Sequence, residues 1–389
     1  MNYTLNHVEI RDAVSKLCLK FDSKYWQNCD KNNSYPTEFV NALTEAGYLS
    51  ALIPEEYGGL GLSLSVGVAI LEEIHKSGCN AAACHAQMYT MGTLLGTLLR
   101  HGSENQKQKY LPEIAKGNLR LQAFGVTEPT SGSDTTSLKC NAVKKGDFYH
   151  INGQKIWTSR AEHSDLLLLL ARTTPKEKVT KRTDGLSVFI VNLKEVPKNT
   201  ITIKPIRTMM NHSTTEIFFD NLPVPKRNLI GEEGKGFKYI LSGMNAERIL
   251  IAAECIGDAK WFINKASKYS SEREIFGRPI GKNQGIQFPI ARSYSLMRAA
   301  ELMLNEATNL FDKGLNPGEE ANLSKLLSAD AQWAAAEACI QTFGGFGFAE
   351  EYDIERKYRE ARLYQVAPIS TNMILSYIAE HVLKMPRSY

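Results

Sequence analysis

No uninterrupted apolar run in this 389-residue chain exceeds six residues; the longest, "LLLLLA" (166–171), is fenced by Asp165 and Arg172. Such a run is long enough for a buried strand and far too short to cross a bilayer. Cysteine is sparse, odd in number at seven and scattered, which excludes a disulfide framework and suits a reducing compartment. Charge of one sign is not concentrated anywhere. The net +4 is spread along the chain, and its densest basic stretch, "TPKEKVTKR" (174–182), lies between two strand-like runs and reads as a surface loop. That excludes a nucleic-acid-binding signature. Missing too are G-x-G-x-x-G between strand and helix, a P-loop, H-E-x-x-H and G-x-S-x-G. The glycine clusters "GEEGKGF" (231–237) and "GGFGF" (344–348) have other spacings, so any nucleotide cofactor binds outside Rossmann geometry. Positions 1–20 carry Glu9, Arg11, Asp12 and Lys16 at helical spacing in place of a targeting pattern. The expectation is a cytoplasmic protein without a membrane span.

What is present is a globular composition, 43% hydrophobic and 23% charged, in a chain long enough for two or three domains. Residues 1–119 read as helices: "EFVNALTEAGYL" and "SVGVAILEEIHKS" have a 3.6-residue period, and Ser103 is placed to cap "ENQKQKYLPEIA". Over 120–230 the pattern turns to strands. "FYHINGQKIW" carries Asn152-Gly153 between alternating runs, a hairpin signal. "DLLLLLAR", "GLSVFIVNL", "TITIKPI" and "TTEIFFDNLPVP" follow, the last expected to stop at Pro223 and Pro225. Over 231–389 helices return as 234–270, 284–313, 318–343 and 370–384, suggesting a four-helix bundle. The order helices, strands, helices defines an α+β chain, mostly α, and excludes alternating βαβ architecture. "AQWAAAEACIQTF" is apolar nearly all round, which predicts packing against another copy of the chain.

Three stretches invite chemistry. "FGVTEPTSGSD" (124–134) gathers Thr127, Thr130, Ser131 and Ser133 around Gly132, a loop suited either to an ordinary turn or to a phosphate or the polar edge of a flat ring. "KIWTSRAEHSD" (155–165) sets Trp157, a stacking surface, beside two hydroxyls. In "MNAERILIAAECIGDAKWFINKA", Glu247, Glu254, Asp258 and Lys265 share one stripe of an otherwise apolar helix, which reads either as a solvated face or as the wall of a cleft. Cys79, Cys84 and His85 also cluster, in an apolar, Ala-rich setting that predicts core packing over metal binding.

"VTEP…SGSD", "NGQKIWTS", "SEREIFGRPI", "QTFGGFGFAEEY" and "KYREARLYQ" occur in the order and spacing of the acyl-CoA dehydrogenase family, which the chain resembles over its whole length. The resemblance implies an N-terminal helical domain, a central β-barrel or sandwich domain and a C-terminal four-helix bundle. It also implies FAD at a subunit interface of a homotetramer (a dimer of dimers), an acyl-CoA substrate and an electron-transfer flavoprotein as electron acceptor. In the cofactor set it places Phe124, Val126 and Thr127 at the flavin edge, Trp157 against the ring, and Thr158 and Ser159 toward O4 and N5. Ser159 stands where most relatives have threonine. Ser133 falls near the pyrophosphate and pantetheine, with Asn245 and Arg248 as further substrate contacts. Arg273, Phe276, Gln284, Gln341, Gly344 and Gly345 are assigned to the adenosine diphosphate half of a neighbour's FAD, and Ser370 and Asn372 complete the set.

The family's usual base is a glutamate in a loop before the last helix. Here that loop reads "YQVAPIST" (364–371), with Pro368 in the motif and no acid. The isovaleryl and long-chain branches take the base instead from an "ER" pair on the bundle helix, which corresponds to Glu247-Arg248. A carboxyl with an ordinary pKa of about 4.3 is a weak base, so burial is expected to raise it. Pro368 also lacks the N–H that would polarise the thioester oxygen. Either Ile369 donates in its place or the chemistry differs, and same-fold oxidases, monooxygenases and non-catalytic binders remain alternatives.

Overall fold

The computed structural model describes residues 7–81 and 92–388. Cys84 and His85 lie outside them. The chain forms two compact units: Met1–Ser34, Ser63–Cys84 and Arg248–Tyr389 make one, and Tyr35–Leu62 with His85–Glu247 make the other. This partition cuts across the expected N-terminal segment 1–119. The helices are α1 (Val8–Cys18), α2 (Ser23–Lys31), α3 (Thr37–Glu45), α4 (Leu64–Lys76), α5 (Thr93–His101) and α6 (Glu104–Ala115). After the strands come α7 (Gly236–Glu272), α8 (Gln284–Asp312), α9 (Gly318–Phe343), α10 (Ile354–Ala361) and α11 (Thr371–Tyr377). Ser103 caps α6 as expected: its hydroxyl accepts from Gln106 N–H, and the Gln106 side chain accepts from Ser103 N–H at 2.9 Å. The fourth bundle segment begins as α11 and continues without a break as a π-helical turn at Ile378–Val382, close to the 370–384 expected.

The second unit is built on an eight-stranded sheet of β1 (Leu121–Gly125), β2 (Asn141–Lys145), β3 (Phe148–Ser159), β4 (Leu166–Arg172), β5 (Leu186–Asn192), β6 (Ile201–Pro205), β7 (Thr214–Pro225) and β8 (Leu229–Ile230). The order is β6-β7-β3-β2-β4-β5-β8, with β1 parallel to β4. Strands β4 and β5 are apolar without alternation because both faces are covered. Leu166, Leu168, Leu170, Val188 and Ile190 pack with Leu98, Leu111 and Ile114 of the helical layer. Leu167, Leu169, Phe189 and Val191 pack with Ile151, Ile217 and Phe219 on the other side.

Two strand expectations are corrected. Asn152-Gly153 is not a hairpin turn: β3 runs through it with a register shift, and the turn is Gly146-Asp147, joining the Lys145–Phe148 pair. Gly153 is needed for a different reason. Its φ is +142°, and a Cβ there would lie 2.7 Å from Cys140 Cα on β2. Strand β7 likewise continues through Pro223, which pairs with His150, and ends at Pro225.

Much of α9 is buried within its own chain, including Ala321, Ala329, Ala335, Ala336 and Cys339, while Trp333, Ala334 and Ile340 are half-exposed. Helix α8 instead displays large apolar side chains: Phe288, Tyr294, Leu296 and Leu302 are exposed.

Candidate active site

The two hydroxyl-bearing stretches meet in the second unit. Ile156 N–H donates to Thr127 O at 2.9 Å. Lys155, fully buried, donates from Nζ to Val126 O at 2.9 Å and to Glu128 Oε1 at 2.8 Å. Glu128 also accepts from the Lys139 and Cys140 N–H groups at 2.6 and 2.8 Å. This satisfied ion pair fixes the Val126–Thr127 backbone against β3, and neither member was singled out in the sequence. Both were visible there, as the Glu of "VTEP" and the Lys of "GQKIW".

The register of β3 on β7 shifts between Lys155 and Thr158, and Trp157 sits in that bulge with φ 61°, a conformation costly for a bulky residue. The result is an indole that is 57% exposed near the end of a strand. Beside it Thr158 Oγ1 is buried and has no hydrogen-bond partner among the described residues, whereas Thr158 O accepts from the Thr215 hydroxyl at 2.7 Å. Ser159 Oγ lies 3.0 Å from His212 Nδ1. Phe124 and Val126 are partly buried against the core beneath. The hydroxyl-rich turn is mostly satisfied internally: Ser131 Oγ donates to Asp134 O at 2.6 Å. Hydrogen bonds from Ser137 and Thr136 hold the Asp134 carboxyl below its ordinary range. Ser133 is exposed and its hydroxyl is not used by the turn.

In the first unit, the hairpin β9 (Glu274–Ile275) and β10 (Arg278–Pro279) turns on Phe276-Gly277, with φ 54° and 71°. Positive φ at both positions is the geometry of a tight two-residue hairpin, and it leaves Phe276 fully exposed. Phe276 borders a pocket of about 720 Å³ with Arg273, Gln341, Gly344 and Gly345. Arg278 and Phe346 line it as well, and the Arg273 guanidinium lies over the Phe346 ring at 5.4 Å. Gln284, the first residue of α8, is exposed and is not part of the lining, to which Asn283 and Ile286 contribute. Ser370 caps α11, its hydroxyl accepting from Met373 N–H at 3.4 Å, and Asn372 is exposed.

The carboxylate stripe is not a solvated face. Glu247 is 2% exposed and Glu254 and Asp258 are fully buried, while Asn245 and Arg248 are half-buried. Lys265 lies at the half-exposed end, over the Trp261 ring. Asp258 accepts from Gln332 Nε2 at 2.7 Å, lies 2.8 Å from His75 Nδ1, and is paired with Lys357. Burial alone would raise Asp258, but Lys357 and His75 outweigh it and hold the carboxyl at about 2. Glu360 is buried and bound by Arg356 at 2.9 Å; there burial prevails over Arg356 and Lys357, and its pKa is raised.

In the loop "YQVAPIST", the buried Lys325 donates from Nζ to Tyr364 O at 2.6 Å and to Ile369 O at 2.9 Å. Desolvation lowers its pKa, opposed by Cys255 and Asp330. Ile369 N–H donates to no other described residue.

An exposed indole on a strained bulge, an unpaired buried hydroxyl at its side and an arginine-lined pocket are features of an enzyme built around a flat, phosphate-bearing cofactor. Family models for the acyl-CoA dehydrogenase N-terminal, middle and C-terminal domains match residues 4–118, 123–222 and 234–383. An acyl-CoA dehydrogenase of Bacillus subtilis is 34% identical over 94% of this chain and 95% of its own length. A 3-(aryl)acrylate reductase of Clostridium sporogenes is 31% identical over 99% of this chain and 100% of its own. The structure of a glutaryl-coenzyme A dehydrogenase–glutaryl-CoA complex superposes with a TM-score of 0.91 at 30% identity, covering 100% of this chain and 98% of that one. The chain therefore belongs to the acyl-CoA dehydrogenase family, whose members are FAD-dependent oxidoreductases acting on CH–CH bonds.

The residues present fit FAD. In the second unit Trp157 offers a stacking plane and Thr158 an unused hydroxyl; in the first, taken by itself, Arg273 and Arg278 offer cations to a pyrophosphate, which the family resemblance assigns to a neighbour's cofactor. Trp157→Ala is expected to lower the FAD content of the purified protein severalfold and to shift its visible absorbance. An unchanged spectrum with full FAD content would remove Trp157 from the site.

Proposed function

We propose that this chain oxidises a saturated acyl-CoA thioester to its trans-2-enoyl-CoA and passes the electrons to an electron-transfer flavoprotein. Glu247 is the base. The observation that carries this reading is a nearly fully buried carboxylate at Glu247 together with a loop, 364–371, that holds no acid. Glu247 takes the α-proton, leaving the charge on the thioester enolate. Bound FAD supplies the two-electron acceptor for the β-hydride. Thr158 and Ser159 would hydrogen-bond the electron-accepting edge of the ring, and Trp157 would cover one of its faces.

The thioester oxygen needs a donor as charge develops, and a preorganised N–H is typically worth about 10²–10³ in rate. Pro368 cannot supply one. We assign the role to Ile369 N–H, in a residue whose carbonyl on the following peptide is held by Lys325. Arg248, Asn245 and Ser133 contact the CoA portion. Arg273, Phe276, Gln284, Gln341, Gly344 and Gly345 serve the adenosine diphosphate half of a neighbouring subunit's cofactor, with Ser370 and Asn372 completing the set. The assembly is a homotetramer, a dimer of dimers. The exposed Phe288, Tyr294, Leu296 and Leu302 of α8 support self-association.

The acceptor is tested on the substrate-reduced protein. Reoxidation is expected to be slow in air and fast with an added electron-transfer flavoprotein. Rapid stoichiometric peroxide formation in air would make it an oxidase.

A further inference from the structure

His212 belongs to no motif that the chain's function has drawn on, yet it is buried at 6% exposure and lies 3.0 Å from the Ser159 hydroxyl. The two are 53 residues apart in sequence and are held in register by the end of the β3–β7 ladder. Thr158 pairs with Thr215 and Ser159 with Thr214, Thr215 Oγ1 donates to Thr158 O, and Arg160 N–H donates to Ser213 O at 2.7 Å. Ser213 itself turns with φ 47°, so the imidazole is folded back onto the strand end and kept there.

A single proton occupies the line between Nδ1 and Oγ, and its position sets what Ser159 can offer outward. If Nδ1 carries the proton, imidazole donates to Oγ and the serine's own proton points elsewhere. If Nδ1 is bare, Ser159 donates inward and shows only a lone pair. Reduction adds electron density to the flavin edge, so a donor there favours the reduced state and a lone pair opposes it.

We propose that His212 is a positioning residue: it donates Nδ1–H to Ser159 and thereby directs the Ser159 hydroxyl proton at the electron-accepting edge of the flavin. This rests on the placement of residues 157–159 against the ring given above.

The test is a spectroelectrochemical titration of FAD-loaded protein without substrate. His212→Phe keeps an aromatic ring and removes both nitrogens. It is expected to shift the two-electron equilibrium about tenfold toward oxidised flavin, about 30 mV, with FAD retained. His212→Asn places an amide N–H near Nδ1 and should return the constant to within about threefold of the parent. Ser159→Ala, which removes the hydroxyl altogether, should shift it at least as far as His212→Phe, which only unlocks the hydroxyl, and the double variant should shift no further than Ser159→Ala. An unchanged constant in His212→Phe, a shift toward reduced flavin, or additive shifts in the double variant would overturn the relay.

If His212→Phe does not retain FAD, Ser159→Ala and Ser159→Ala/His212→Asn decide: equal constants support the relay and unequal ones overturn it. Trp157→Ala in the same titration separates the two levels. A flavin unmoved by Trp157→Ala overturns the placement and the relay with it. A flavin moved by Trp157→Ala but not by His212→Phe overturns the relay alone.

Discussion

Glu247→Gln should bind both FAD and acyl-CoA, yet its flavin should be reduced by substrate about 10²–10⁴-fold more slowly than in the parent protein, the range typical of a lost general base. The amide keeps the volume of a side chain that is 2% exposed, so packing is conserved while the capacity to take a proton is lost. The acids nearest the usual loop position do not offer a substitute. The loop 364–371 has none, and Glu360, the acid just upstream, is buried and held by Arg356 and Lys357. Stopped-flow absorbance of the flavin on anaerobic mixing reads the effect directly. Reduction at close to the parent rate would place the base elsewhere.

Lys357→Met should be the most damaging single change to stability. Lys357 and Asp258 are both fully buried, and the lysine also donates to Cys79 O at 3.0 Å. Removing one member of such a pair leaves a charge in a low-dielectric interior, at a cost of about 3–5 kcal/mol. Adding Asp258→Asn should recover much of that loss, since it removes the stranded charge. The pH dependence has a definite sign. Asp258 titrates at about 2 in the folded chain, below the value of about 3.9 for an ordinary aspartate. Its ionised form therefore stabilises the fold fully above about pH 4, and that contribution is lost as pH falls toward 2. Thermal unfolding midpoints of the parent and the two variants, followed against pH, check this. A Lys357→Met midpoint equal to the parent would mean that Asp258 is compensated by His75 and Gln332 alone.

How far the sequence reveals such features depends on how local their causes are. Strands β4 and β5 were legible because the buried apolar runs 166–171 and 188–191 leave a plain record. The turn at Asn152-Gly153 was misplaced because a glycine needed for close approach to Cys140 looks, in one dimension, like a glycine needed for a hairpin. Periodicity put Glu247, Glu254 and Asp258 on one face of α7 but could not say what that face meets. For Asp258 the answer is His75 from α4, Gln332 from α9 and Lys357 from α10. The same limit applies to α9, whose small residues do not say which of them the chain itself covers and which, like Ala334, it leaves half-exposed. Around the candidate site, Trp157, Thr158 and Ser159 stood out because they are contiguous. Lys155–Glu128 and Ser159–His212 did not, since each pairing depends on strand register.

The most direct measurement is anaerobic titration of the purified yellow protein with a panel of saturated CoA esters, followed by its visible absorbance. At least one ester should bleach the flavin stoichiometrically and yield the matching trans-2-enoyl-CoA. Full FAD occupancy with no bleaching by any ester, straight-chain, branched or cyclic, would contradict acyl-CoA dehydrogenation by this chain.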